Sequence, residues 1–175
     1  MMKDLIRLRT SLKEEIEIVL NSQAKIEAEA SQKYLAMASW LERAGYEKSA
    51  GYMYKQADEE REHFLKIFKY INEVGGTAIT PTVGDVQQDF ISFKDIFEVA
   101  LQNEIFVSNS IHRIVAKCRQ ENDFATEEFM MWYVKEQREE ERNARRALEL
   151  IDLIEETGIG KFVLDKEIAK IGHND

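Results

Sequence analysis

The sixteen residues GGTAITPTVGDVQQDF, 75–90, constrain the fold most, because they carry no helical period while the long runs on either side do. Apolar residues recur at three- and four-residue steps from about Leu12 to Ala44 and from about Tyr46 to Val74. They do so again from about Ser92, a plausible N-cap, to Gln120, and from Phe124 to Thr157. Gly45 separates the first two runs and the short "END" stretch at 121–123 separates the last two, so each pair is expected to be antiparallel. The middle connection is different. At ~3.3 Å per extended residue it reaches about 50 Å, and a helix of about 28 residues is ~42 Å long. It can therefore cross the whole length of a bundle and make the second and third helices parallel. Gly158 and Gly160 end the fourth run, and residues 161–171 read as a short final helix. The expectation is an all-α four-helix bundle with one long crossover and a short fifth C-terminal helix.

Composition agrees. The chain has 175 residues, enough for one domain with a sizeable core, with one proline, eight glycines and 33% charged residues. We read a single domain over 1–175: an N-terminal extension at 1–11, the bundle at 12–157 and the last helix at 161–171. A formal charge of −9 argues against nucleic acid, which needs a concentrated basic surface, and suits the attraction of cations. No run reaches membrane-spanning length, and "MMKDLIRLRT" lacks the apolar core of a secretory signal. Cys118 is the single cysteine, which fits a reducing compartment, so a cytoplasmic location is expected.

The core stripes of the four helices share an anomaly. The first reads Leu20, Ala24, Glu27, Ser31, Tyr34, Ala38, Leu41, and the second Met53, Ala57, Glu60, Phe64, Ile67, Ile71, Val74. The third reads Phe97, Leu101, Glu104, Ser108, Ile111, Val115, Cys118, and the fourth Phe129, Tyr133, Gln137, Glu140, Ala144, Ala147, Ile151, Ile154. Each is interrupted near its middle by a carboxylate, which puts four of them in one layer. A single such glutamate would be read as a boundary position that reaches water. Four in an apolar layer require protons or a cation between them. His63 lies three residues after Glu60, on the same side of its helix, so both can face one centre. Carboxylates with one imidazole make a hard, oxygen-rich site suited to iron(II) or manganese.

Three features carry a resemblance: EEREHFLKIFKYI at 59–71, Glu104 in mid-helix, and WYVKEQREEE at 132–141. With these the chain resembles the bacterial non-haem ferritins of the ferritin-like di-iron superfamily, from about Leu12 to the C-terminus. The resemblance implies iron storage with ferroxidase activity. Iron(II) would be oxidised by dioxygen or hydrogen peroxide at an intra-subunit di-iron centre and stored as ferric mineral in a hollow shell of 24 subunits. It implies that Glu27, Glu60 and His63 form the first iron site, with Glu60 bridging. Glu104 and Glu140 would form the second, with Gln137 beside it and Tyr34 adjacent to the first. Glu59, Glu136 and Glu139 would make a third iron site that shares Glu140, although they also read as a solvated acidic face. The final helix would lie at a subunit junction. Haem is not expected: Arg61 stands where bacterioferritins carry their axial methionine, and Met53, Met130 and Met131 read as packing. His112 and His173 read as surface or packing residues.

Two other functions fit parts of the pattern. A di-iron oxidoreductase or peroxidase of the rubrerythrin type would normally show a second Glu-x-x-His, where this chain has Gln137-x-x-Glu140, and a Cys-x-x-Cys pair, which is absent. A metal-free structural bundle would hold its buried glutamates protonated.

Overall fold

The computed structural model describes residues 6 and 9–172. Most of the N-terminal extension, and His173, therefore lie outside the described residues. The elements are α1 (Glu14–Arg43), α2 (Glu47–Glu73), α3 (Phe93–Glu121), α4 (Phe124–Leu153) and α5 (Ile159–Ile168), with no strand among the described residues. None of these helices is long and apolar enough to cross a membrane.

Local chemistry sets the ends. Gly45, at φ +87°, lets the amides of Gly45 and Tyr46 turn back onto the carbonyls of Glu42 and Leu41, closing α1 and starting the short turn into α2. Ser92 caps α3 by accepting from the Asp95 amide at 3.1 Å, as its position suggested. Asp123 caps α4 through the Thr126 amide at 3.0 Å. The fourth helix corrects the sequence expectation: it ends at Leu153, not Thr157, and α5 begins at Ile159 instead of 161. The reason is local. Ile154 turns to extended backbone, and Gly158 takes φ 50°, ψ −122°, a conformation that a side chain disfavours, to start α5 directly.

Cross-helix contacts fix the topology. α1 meets α3 head to tail, with Lys13 on Glu121 at one end and Tyr34 on Glu104 midway. α2 meets α4 the same way, with Tyr70 on Thr126 and Gln56 on Glu140. With α1 and α2 antiparallel across the Gly45 turn, α2 and α3 run parallel. The crossover does travel the bundle. Thr77 and Ile79 bond to Glu17 and Asn21 near the start of α1, and Phe90 meets Trp40 near its end.

The apolar core lies in two pieces. One gathers Met37, Leu41, Met53, Phe93 and Phe97 with Leu164 and Ile168 of α5. The other gathers Ile16, Leu20, Ile67, Ile71, Ile111 and Tyr133. Between them lies the polar layer.

Candidate metal centre

All four stripe carboxylates are inside. Glu27 is fully buried, Glu60 and Glu104 are 1% exposed and Glu140 is 6% exposed, with His63, Gln137 and Tyr34 buried beside them. The three-residue step predicted for α2 places the His63 Nδ1 3.3 Å from Glu60 Oε2. Ligand atoms of Glu27, Glu60 and His63 lie within 4.8 Å of one another. Across the layer, Gln137 donates to Glu104 Oε2 at 2.9 Å, and the Tyr34 hydroxyl donates to Glu104 Oε1. Tyr34 thus bonds to Glu104, and the charge of Glu60 also acts on its phenol.

Electrostatics follow from burial. Desolvation first, then the facing Glu60 carboxylate, holds Glu27 well above the usual carboxylate range. Desolvation and the charge of Glu104 do the same for Glu60. Desolvation raises Glu104 too, opposed by the bonds from Tyr34 and Gln137. Glu140 is pushed up to about 8 by desolvation and then by Glu104 and Glu59. No lysine or arginine pairs with these four among the described residues; the donors that reach them besides His63 are neutral amides and a phenol. Glu27 Oε2 and Glu60 Oε1 are buried without a hydrogen-bond partner. Either a proton shared by the pair or a cation between them would relieve this. The donor set, four carboxylates and an imidazole, fits hard divalent ions such as iron(II).

The remaining candidates separate. Glu59 and Glu136 are half-buried and line one groove between α2 and α4, together with His63, Trp132 and Lys66. Glu59 also pairs with Lys55 at 3.5 Å. Glu139 is exposed and lines another hollow, between α4 and α5. Met53 and Met130 are buried as expected, but Met131 is 44% exposed, because it points away from the bundle. His112 is exposed.

Sequence reasoning missed two buried amides. Gln23 donates to Glu27 Oε1 at 2.8 Å, and Gln56 donates to Glu140 Oε2 at 3.0 Å. A signal was there. QAKIE at 23–27 and QADEE at 56–60 repeat one Gln-Ala-x-x-Glu spacing, which places each amide one turn before a stripe carboxylate.

The Ferritin family, described as a Ferritin-like domain, matches residues 19–154. The chain belongs to the ferritin family. This ferritin chain is 33% identical to a bacterial non-haem ferritin of Campylobacter jejuni over 91% of its own length and 96% of the relative's. It is 31% identical to a non-haem ferritin-like protein of Haemophilus influenzae, over 91% and 97% of the two chains. Among solved structures it is similar to an open-pore ferritin of the hyperthermophilic archaeon Archaeoglobus fulgidus. That match has a TM-score of 0.88 and 34% identity, and covers 91% of this chain and 97% of that one.

Proposed function

We propose that the chain stores iron and has ferroxidase activity. It would take up iron(II), oxidise it with dioxygen or hydrogen peroxide at a di-iron centre within each subunit, and keep the product as ferric mineral in a hollow shell of 24 copies. The observation that carries this reading is the buried layer itself: four carboxylates and a histidine with neutral donors around them and two unpartnered oxygens. Membership of the ferritin family and relatives named bacterial non-haem ferritin support this reading. The charge of −9 suits cation uptake, and a cytoplasmic place suits iron(II).

In this reading iron is substrate and cargo. Glu27, Glu60 and His63 hold one iron(II); Glu104 and Glu140 hold the other, with Glu60 between them and Gln137 at Glu104. Arriving cations displace the protons that the raised carboxyls carry. Each iron then loses one electron to the oxidant. The fixed carboxylates stabilise the higher charge of iron(III) without reorganising. Tyr34 holds its proton against Glu104, since burial and the carboxylates keep its phenol well above the ordinary tyrosine value. The groove lined by Glu59, Glu136 and His63 would give the centre a route to the surface, and Glu59 and Glu136 would belong to a third, weaker iron-binding set that shares Glu140, with Glu139 joining it from outside that groove.

The deciding experiment is aerobic iron(II) loading of the purified protein, followed by size exclusion. Iron far beyond two per chain, co-eluting with a particle many times the mass of one chain, is the expected result. Iron fixed near two per chain on a small oligomer would replace this reading with a di-iron oxidoreductase of the rubrerythrin type.

A further inference from the structure

Gln56 is 4% exposed, on the same face of α2 as Glu60 and one turn before it. Its amide does not serve Glu60. It crosses the α2–α4 seam and donates to Glu140 Oε2 at 3.0 Å. Gln23 stands at the same place before Glu27, yet its amide stays on its own helix at 2.8 Å. One sequence spacing thus ties one carboxylate within a helix and another across the bundle.

The difference matters because Glu140 has two carboxylate neighbours, Glu104 in the layer and the half-buried Glu59 on the groove. Both neighbours act on it as like charges. Once ionised to meet a metal, a glutamate repelled by two neighbours, with a flexible stem, needs a restraint to stay in one rotamer. A lysine or arginine would supply that restraint but would also cancel the negative charge a metal needs. A neutral amide restrains the carboxylate and leaves its charge intact.

We infer that Gln56 is a positioning residue: by holding Oε2 of Glu140 it keeps that carboxylate in the layer and sets the affinity of the second metal position without touching the metal. This rests on the reading above that Glu104 and Glu140 form a second position. Outer hydrogen-bond partners of metal ligands are typically worth roughly 10- to 100-fold in affinity.

The test is anaerobic titration of the assembled apo-protein with Co(II), followed by calorimetry and by Co(II) visible absorption, which reports ligand geometry. Gln56→Met keeps the side-chain length and removes the donor. The expected result is a first equivalent within about 2-fold of the native protein and a second weakened about 10-fold, with altered absorption. Glu140→Ala, the reference, loses the second equivalent. Should Gln56→Met fail to assemble, Gln56→Asn draws the amide out of reach and carries the same expectation. Equal binding of both equivalents by native and variant proteins overturns the inference. So does equal weakening of both, which would mean loosened packing and no specific role. If the native protein binds one Co(II) and Glu140→Ala leaves it unchanged, the two-metal reading fails first and this inference with it.

Discussion

The ends of the bundle and its middle layer are made from the same helices under opposite rules. Around Leu41, Met53 and Phe97 at one end, and Leu20, Ile67 and Ile111 at the other, apolar side chains are almost wholly excluded from water. The middle layer buries side chains just as deeply, but they are carboxylates, amides and an imidazole. Of the four buried side-chain polar atoms without a partner among the described residues, Gln23 Oε1, Glu27 Oε2 and Glu60 Oε1 lie in or next to this layer. The fourth, Ser49 Oγ, sits near α5. Burying a carboxylate costs several kcal/mol even after relaxation, whereas burying a large apolar side chain contributes about 1.5–3 kcal/mol. The ends thus supply the stability that lets the middle stay open for a ligand.

The sharpest way to break that contrast is to make the middle resemble the ends. Glu60→Leu removes a carboxylate that faces both Glu27 and Glu104 and fills its place with packing. Iron(II) oxidation should fall by roughly 100-fold or more, at or beyond the top of the range for partners of metal ligands. The metal-free protein should meanwhile become more stable by about 1–4 kcal/mol. Stopped-flow oxidation and thermal unfolding of the chelated protein check the two halves. A variant that loses both activity and stability would show the layer to be structural.

The converse substitution belongs at an end. Phe97 is 1% exposed and packs on Phe93 with ring centroids 5.1 Å apart. Phe97→Ala should cost about 3–5 kcal/mol, visible as a lowered unfolding midpoint at fixed protein concentration, with the metal stoichiometry unchanged. Loss of metal binding in this variant would mean that the ends and the middle are not separable.

The contrast between the regions was largely legible in the sequence, for a physical reason. A helix repeats every 3.6 residues, so the spacing alone places Glu27, Glu60, Glu104 and Glu140 on faces and at depths. Loop length likewise fixed the parallel α2 and α3, because sixteen residues can span a bundle and three cannot. What periodicity cannot encode is where a flexible side chain turns. Gln23 and Gln56 occupy equivalent positions, yet one amide bonds within its helix and the other across to Glu140. Tyr34 reaches Glu104 on α3 for the same reason: the partner depends on rotamers and on helix rotation within the bundle. The end of α4 is hidden in the pattern because its apolar stripe includes Ile154, where the backbone already turns extended.

Acidity offers a graded version of the comparison. The middle carboxyls hold protons that the unfolded chain releases near its ordinary carboxylate value, and Glu140 holds its proton up to about 8. Between those limits the folded state binds more protons than the unfolded one, so stability falls as pH rises. Each pH unit in that window should cost up to about 1.4 kcal/mol per titrating group. Chelated protein should therefore unfold at progressively lower temperature from about pH 5 to about pH 8. Added Co(II) should restore more stability at the upper limit than at the lower. A stability flat in pH would mean that the layer carries its charges already compensated.

The smallest effect is expected where a buried-side carboxylate is fully employed. Asp165 of α5 accepts the Ser49 amide at 2.7 Å and the Lys48 amide at 3.1 Å, so both its oxygens cap the start of α2. It meets donors that a helix N-terminus always leaves free, beside the favourable end of the helix dipole. Glu27 and Glu60 each keep an oxygen idle; Asp165 keeps none. Asp165→Ala should therefore behave as the loss of a cap, costing about 1 kcal/mol. For a chain of this size that is about 2–4 °C in the unfolding midpoint, and iron oxidation should be unaffected. Asp165→Asn retains one acceptor and should recover part of the loss. A loss several times larger would show that α5 holds the apolar end together through this one side chain, and that the end, too, depends on a single carboxylate.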